Sequence, residues 1–427
     1  MAIPSLLALV LQLPTAQESI FPIRPSVAAP VVAPQLPIPN FGEAPAIVEP
    51  MRIALSPVLD GRIEDEEWDP FATDGDGKTY FQWEPDALHV AARAVPGTEV
   101  VASFDLANDG WLRGKDNLEV RIGQDGTVKA RILDATPIAG PVWNELPNFG
   151  ISTKASVSPD TIEATITDPG IGLLPEKPGT KIGARIDVVP VGKVPSEPYL
   201  PRVCAPVTLG FSRAAGLPAG LEFEAENEST SVVPGQTAKL RFTFRGKNDL
   251  NLMRINLRSE GPARMATSLL EVPFPRFDRK GRAYVDYDTP VAPGGSIGYR
   301  LARGTLTSSD GVPSVMQVSY RIGQPVDAQL VFEKLPVNDT DRSVKRNYYL
   351  HSNSGRAVNG KVSIEVPAPL RVLNGNERSI SLNGSRGRTR QGFELFVPGG
   401  AKGTYAIVFR FNIEGNEYAQ TQYLTVN

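Results

Sequence analysis

Proline and glycine interrupt this chain so often that little room is left for long helices. Each occurs 39 times among 427 residues. Both are costly inside a helix, proline for its missing N–H and glycine for its backbone entropy. The stretches between them are short and rich in β-branched and aromatic residues. Thr79-Tyr80-Phe81-Gln82-Trp83 and Thr237-Ala238-Lys239-Leu240-Arg241-Phe242 alternate apolar with polar positions. A period of two is the pattern of a strand with one buried face. The expected fold class is all-β, with chain enough for several β-sandwiches.

Composition narrows the function. The one cysteine, Cys204, cannot close an intrachain disulfide or build a cysteine-ligated zinc site. A formal charge of −3 lacks the basic footprint of a nucleic-acid binder. The two histidines, His89 and His351, fall in separate stretches. A serine nucleophile on a strand-to-helix elbow is not expected, and Cys204 reads as a buried small residue. The chain is therefore expected to be non-catalytic. A polysaccharide-active enzyme, or its accessory subunit, using paired carboxylates is the lesser alternative.

Leu6 to Leu13 is a largely apolar run, followed by Pro14-Thr15-Ala16-Gln17. Residues 1–19 thus read as a signal peptide. The run is shorter than the roughly 20 residues that cross a bilayer, and no later stretch is long and apolar enough. An integral membrane protein is not expected; a secreted or cell-envelope location is. Residues 20–50 carry Pro22, Pro25, Pro30, Pro34, Pro37, Pro39, Pro45 and Pro50. Such a segment favours extended polyproline II and reads as a linker.

Residues 51–215 hold all four tryptophans. Val58-Leu59-Asp60-Gly61 through Trp68 opens the stretch. Trp83-Glu84-Pro85-Asp86-Ala87-Leu88-His89-Val90 follows, then Asn108-Asp109-Gly110-Trp111-Leu112-Arg113-Gly114-Lys115-Asp116-Asn117-Leu118-Glu119. Ile162-Glu163-Ala164-Thr165-Ile166 and Lys181-Ile182-Gly183 close it. In that order the four pieces resemble the family-9-like carbohydrate-binding modules, a β-sandwich related to DOMON domains. His89 stands where that family usually has tyrosine, and Thr167 where it has proline. The resemblance implies a sugar-binding sandwich. Residues 220–325 and 326–427 each show strand rhythm over about a hundred residues and read as immunoglobulin-like sandwiches.

Sugar recognition combines a flat aromatic face with a few aimed polar groups. Trp68 and Trp83 read as core residues. Trp111 sits in a glycine-flanked loop beside Asn108, Asp109 and Arg113. Trp143, with Asn144 and Glu145, lies in the proline-bounded stretch 141–147, which reads as irregular and exposed. Trp111 and Trp143 are the expected stacking residues, and Asn108, Asp109, Arg113, Asn144 and Glu145 the hydroxyl partners. The resemblance adds a late loop, where Tyr199 takes the place of a second tryptophan. It also implies calcium, which needs clustered oxygens. Asp74 and Asp76 in one turn, and Asp105 near Asn108 and Asp109, are the candidates, set against a reading as plain solvated turns. The expected partner is carbohydrate, a cell-surface polysaccharide among the possibilities. A structural or adhesive envelope protein, meeting other envelope proteins and holding no sugar, is the alternative.

Overall fold

The computed structural model describes residues 51–427 except 65–66, 75–76, 95, 111–115, 137–139, 146–151, 168–172, 192–203, 226–230, 248–249, 251, 261–268, 294, 296, 310 and 385–386. The leader and linker read from the sequence lie outside these residues. Every regular element described is a strand, so no described helix is long and apolar enough to cross a membrane. The fold is all-β.

The first sandwich begins with β1 (Met51–Ile53), β2 (Pro70–Asp74), β3 (Gly77–Glu84), β4 (Ala87–Arg93), β5 (Thr98–Asp105) and β6 (Asn117–Gly123). It continues with β7 (Val128–Thr136), β8 (Gly140–Glu145), β9 (Ser152–Val157), β10 (Thr161–Thr167), β11 (Lys181–Pro190) and β12 (Ala205–Gly210). Seven strands form one sheet in the order β1-β12-β11-β5-β6-β7-β8, and five form the other as β2-β3-β4-β10-β9. Ala184, Phe104, Leu118 and Ile132 stand in one row across four neighbouring strands. All four join a core with Phe81, Trp83, Leu88, Val90 and Ile166 of the facing sheet. Burying one large apolar side chain contributes about 1.5–3 kcal/mol.

The central strand β4 is buried on both faces from Ala87 to Ala92. The second cover is a strap formed by residues 54–64 and 67–69, lying on the outer face of the five-stranded sheet. Trp68 packs there on Tyr80 and Ala91, with Leu59 and Ile63 beside it. The N–H groups of Glu67 and Trp68 both donate to Glu64 O, which brings the indole in. Glu163 on β10 holds the strap from below. Its carboxylate accepts from Gly61 N at 2.6 Å and from Trp68 Nε1 at 3.1 Å. The Asp60–Trp68 motif thus serves as a structural clamp.

The second sandwich comprises β13 (Ser212–Ala215), β14 (Glu222–Ala225), β15 (Ser231–Val232), β16 (Thr237–Arg245), β17 (Leu252–Glu260), β18 (Leu269–Pro273), β19 (Arg282–Pro290), β20 (Gly298–Ser308) and β21 (Pro313–Ile322). Its sheets run β13-β21-β20-β17-β18, with β15 beside β21, and β14-β16-β19. On β16, Ala238, Leu240, Phe242 and Phe244 point inward while Lys239, Arg241 and Arg245 point out. That is the alternation of a sheet with one wet face.

The third sandwich comprises β22 (Val326–Leu330), β23 (Lys334–Leu335), β24 (Arg342–Ser352), β25 (Val358–Glu365), β26 (Arg371–Val372), β27 (Glu377–Leu382), β28 (Arg388–Val397), β29 (Gly403–Ile413) and β30 (Asn416–Val426). Its sheets run β22-β24-β28-β26 and β23-β30-β29-β25-β27. Tyr348 and Phe409 meet at its centre, with ring centroids 5.0 Å apart.

The first two sandwiches share a seam. Ile53 and Leu55 pack on Leu301. Ser319 Oγ donates to Ala54 O at 2.6 Å, and Arg213 to Met51 O at 2.9 Å. The fully buried Arg300 donates to the carbonyls of Ser56 at 2.9 Å and Tyr299 at 2.7 Å. Trp83, Phe211 and Tyr299 stack in series, with centroid spacings of 5.6 and 5.5 Å. Gly298 makes the close approach possible, because a Cβ there would sit 2.5 Å from Ser56 Oγ.

Candidate functional site

Two places on the first sandwich bring functional groups together. One is the loop between β5 and β6. Asp105 ends β5 with 2% of its surface exposed. Its carboxylate accepts from Asp109 N at 3.4 Å and Gly110 N at 2.9 Å, which folds the loop back. Asn108 takes the left-handed region, φ +50°, where asparagine is favoured among non-glycine residues. Asn108 and Asp109 are exposed. Asp105, Asp109 and Asp116 bring carboxylate oxygens within 4.8 Å of one another. Burial pushes the Asp116 carboxyl above its usual range, and the charges of Asp109 and Asp105 push it the same way. Its Oδ2 is buried without a hydrogen-bond partner.

These residues fit a hard cation. Calcium sits roughly 2.3–2.6 Å from each oxygen, so two of its ligands lie at most about 5 Å apart. Asp105, Asp109 and Asp116 would supply the charge that orders the loop. Asp116 was missed from the sequence, although it stands inside the motif that carries the resemblance. Asp74 ends β2 and pairs with Gly77 across a tight hairpin. Asp76 and the Asp74 side chain lie outside the described residues.

Trp111, Arg113 and Tyr199 also lie outside them. The stretch around Trp143 corrects the sequence reading. It is not irregular: Gly140–Glu145 is strand β8, at the edge of the seven-stranded sheet. Pro141 is tolerated because an edge strand leaves one side of its ladder unpaired. Trp143 pairs with Leu133, Asn144 with Ile132 and Glu145 with Arg131. The register puts Trp143 in the row Asp105–Asn117–Leu133–Trp143. Three strand spacings separate its backbone from Asp105, or roughly 14 Å. The side chains of Trp143, Asn144 and Glu145 are outside the description. Trp68 and Trp83 are buried.

The second place is a cleft of about 760 Å³ against the seam. Its floor is the outer face of the five-stranded sheet, with Glu84, His89, Thr165 and Thr167. The strap residues Pro57, Val58 and Leu59 wall one side, and Ile297, Tyr299 and Arg321 the other. His89 is 2% exposed. Its Nδ1 bonds Thr165 Oγ1 at 2.8 Å. Its Nε2 faces Glu84 Oε1 at 3.4 Å. Ser56 Oγ donates to Glu84 Oε2. Burial would raise the Glu84 carboxyl, but His89, Ser56 and the Arg300 charge hold it below its usual range. No sequence signal joins these residues, which come from separate segments.

Neither place has the order of a nucleophilic catalyst. Ser56 and His89 both turn to Glu84, so the imidazole does not face the hydroxyl as a base would. Gly294-Gly295-Ser296-Ile297-Gly298 spells Gly-x-Ser-x-Gly, which escaped the sequence reading. The motif needs a helix behind it, and here strand β20 starts at Gly298. Cys204 is buried, and desolvation pushes its thiol up to about 12.

No family model matches the sequence, and no curated protein matches it. Among solved structures, the chain is similar to red sea bream transglutaminase, with a TM-score of 0.32 and 9% identity over 49% of this chain and 32% of that one. It is similar to E. coli alpha-2-macroglobulin in its native conformation, with a TM-score of 0.25 and 8% identity over 83% and 32%. CBD12 from CALX1.2 follows, with a TM-score of 0.21 and 8% identity over 46% and 83%. The chain spans about a third of the length of the first two. These likenesses are too slight to bear on function.

Proposed function

We propose that this is an exported, non-catalytic binding protein whose first sandwich takes carbohydrate, with a cell-surface polysaccharide as the natural target. In this reading the first sandwich is a family-9-like carbohydrate-binding module, and the two following sandwiches are immunoglobulin-like spacers. The observation that carries it is the β5–β6 loop, where exposed Asn108 and Asp109 are set by a buried Asp105. Rigidly held polar groups on a loop are what a sugar's hydroxyls require. Trp111 and Arg113 fall between β5 and β6 in the sequence, and Trp143 belongs to the same row of the sheet as Asp105. Calcium belongs to the reading as the ion that fixes the loop. Titration of the full chain with oligosaccharides, with calcium and with chelator, tests it. Asp109→Ala is expected to weaken binding at least tenfold.

The structural or adhesive reading has one observation in its favour. The seam through Arg300, Ser319 and the three stacked rings ties the first two sandwiches into one stiff piece. A strut needs that stiffness whether or not a sugar binds. An unchanged tryptophan fluorescence across the whole titration would favour it.

A further inference from the structure

We propose that the cleft between the strap, the five-stranded sheet and the head of β20 is a second binding site, for a neutral saccharide of one or two rings. Its volume, about 760 Å³, lies in the range of roughly 300–1,000 Å³ that small-molecule sites occupy. The walls supply flat apolar faces. Pro57, Pro85, Ile297 and the ring of Tyr299 line it, and Phe211 stacks on that ring to fix its plane. The floor supplies hydrogen-bonding groups. Glu84, Thr165 and Thr167 lie on it, and the buried His89 stands beneath, bonded to Thr165 and facing the Glu84 carboxylate.

The charges select the ligand's class. Glu84 and Asp86 line one part of the cleft and Arg321 another. An anion would meet two carboxylates, and a cation would meet the guanidinium. A neutral ring with apolar C–H faces and many hydroxyls meets neither penalty. Glu84 already accepts from Ser56, so its position is set before a ligand arrives. The cleft shares no residue with the β5–β6 loop, and the proposal stands without that loop's function.

Calorimetric titration of the full chain with cellobiose, maltose and lactose tests it, each up to about 10 mM. Three variants accompany the wild type: Arg321→Ala, Thr167→Trp, which fills the floor, and Asp109→Ala. The proposal expects binding of at least one sugar. It expects that binding to fall at least tenfold in Arg321→Ala and Thr167→Trp, with unchanged thermal unfolding, and to persist in Asp109→Ala. Failure of all three sugars to bind overturns it. Binding that survives both cleft variants and vanishes in Asp109→Ala overturns it and leaves the loop reading intact. A preference for zwitterionic dipeptides over the sugars overturns the ligand class.

Discussion

The indole Nε1 of Trp68 donates to the carboxylate of Glu163 at 3.1 Å, across 95 residues of sequence, and neither side chain exposes more than 1% of its surface. Glu163 also accepts from the backbone of Gly61. The strap therefore depends on one buried carboxylate. Trp68→Phe keeps most of the apolar contact with Tyr80 and Ala91 but leaves Glu163 short of a donor. The expected cost is about 2 kcal/mol, the scale of an unsatisfied buried acceptor. Urea denaturation measures it. Equal stability of variant and wild type would mean the strap is held by packing alone.

Glu67, one residue before that indole, makes stability depend on pH. Burial raises its carboxyl to about 7 from the usual 4.5, against a backbone hydrogen bond at Val58. Glu64, Asp60 and Glu163 add to the rise. The folded state then holds a proton that the unfolded state has lost between those two values. Stability from this group is therefore greatest at acid pH and falls as pH climbs through 4.5 to 7. The full span is at most about 3 kcal/mol, at about 1.4 kcal/mol per pH unit. Glu67→Gln should flatten that slope and raise the melting temperature at pH 8. Thermal melts of both proteins across the range decide it.

Cys204 should be chemically silent in the folded protein. Its thiol, pushed up to about 12 chiefly by burial, offers almost no thiolate at neutral pH. Ellman's reagent should leave the native chain unlabelled and react with one thiol per chain in urea. Fast labelling of the native protein would mean that the segment around Cys204 opens.

The seam supplies another test. Arg300→Ala removes the donor to Ser56 O at the joint, while Tyr299 O keeps the Ser56 N–H. A buried carbonyl left unpaired costs roughly 1–3 kcal/mol, and the variant should be less stable by about that amount. Small-angle scattering should show a broader distribution of shapes as the first two sandwiches come apart. An unchanged profile would place the stiffness elsewhere, in the packing of Ile53 and Leu55 on Leu301.

Strand rhythm made the fold class legible. Alternation over Thr237–Phe244 marks β16 as it stands in the sheet, and the burial of Trp68 and Trp83 follows from their neighbours. Trp143 was misread because Pro141 looks like a loop residue, and only the sheet's edge makes a strand of that stretch. The strap was hidden for another reason. The Asp60-Gly61…Trp68 pattern points to a family, but its partner Glu163 lies on a strand a hundred residues away. The cleft had no local signature at all, because Glu84, His89, Thr165, Tyr299 and Arg321 meet only through sheet register and the seam. Arg388 and Arg390, although flanked by glycine, belong to β28, with the Arg388 guanidinium 3.6 Å over the Tyr349 ring.

The central claim is that the first sandwich binds carbohydrate through the β5–β6 loop. A glycan array probed with the full chain, in calcium and again in chelator, tests it most directly, with Asp109→Ala run beside the wild type. The account predicts a defined set of bound glycans, weakened at least tenfold by Asp109→Ala and reduced by chelation. No bound glycan above background, or a set unaffected by the substitution, would contradict it.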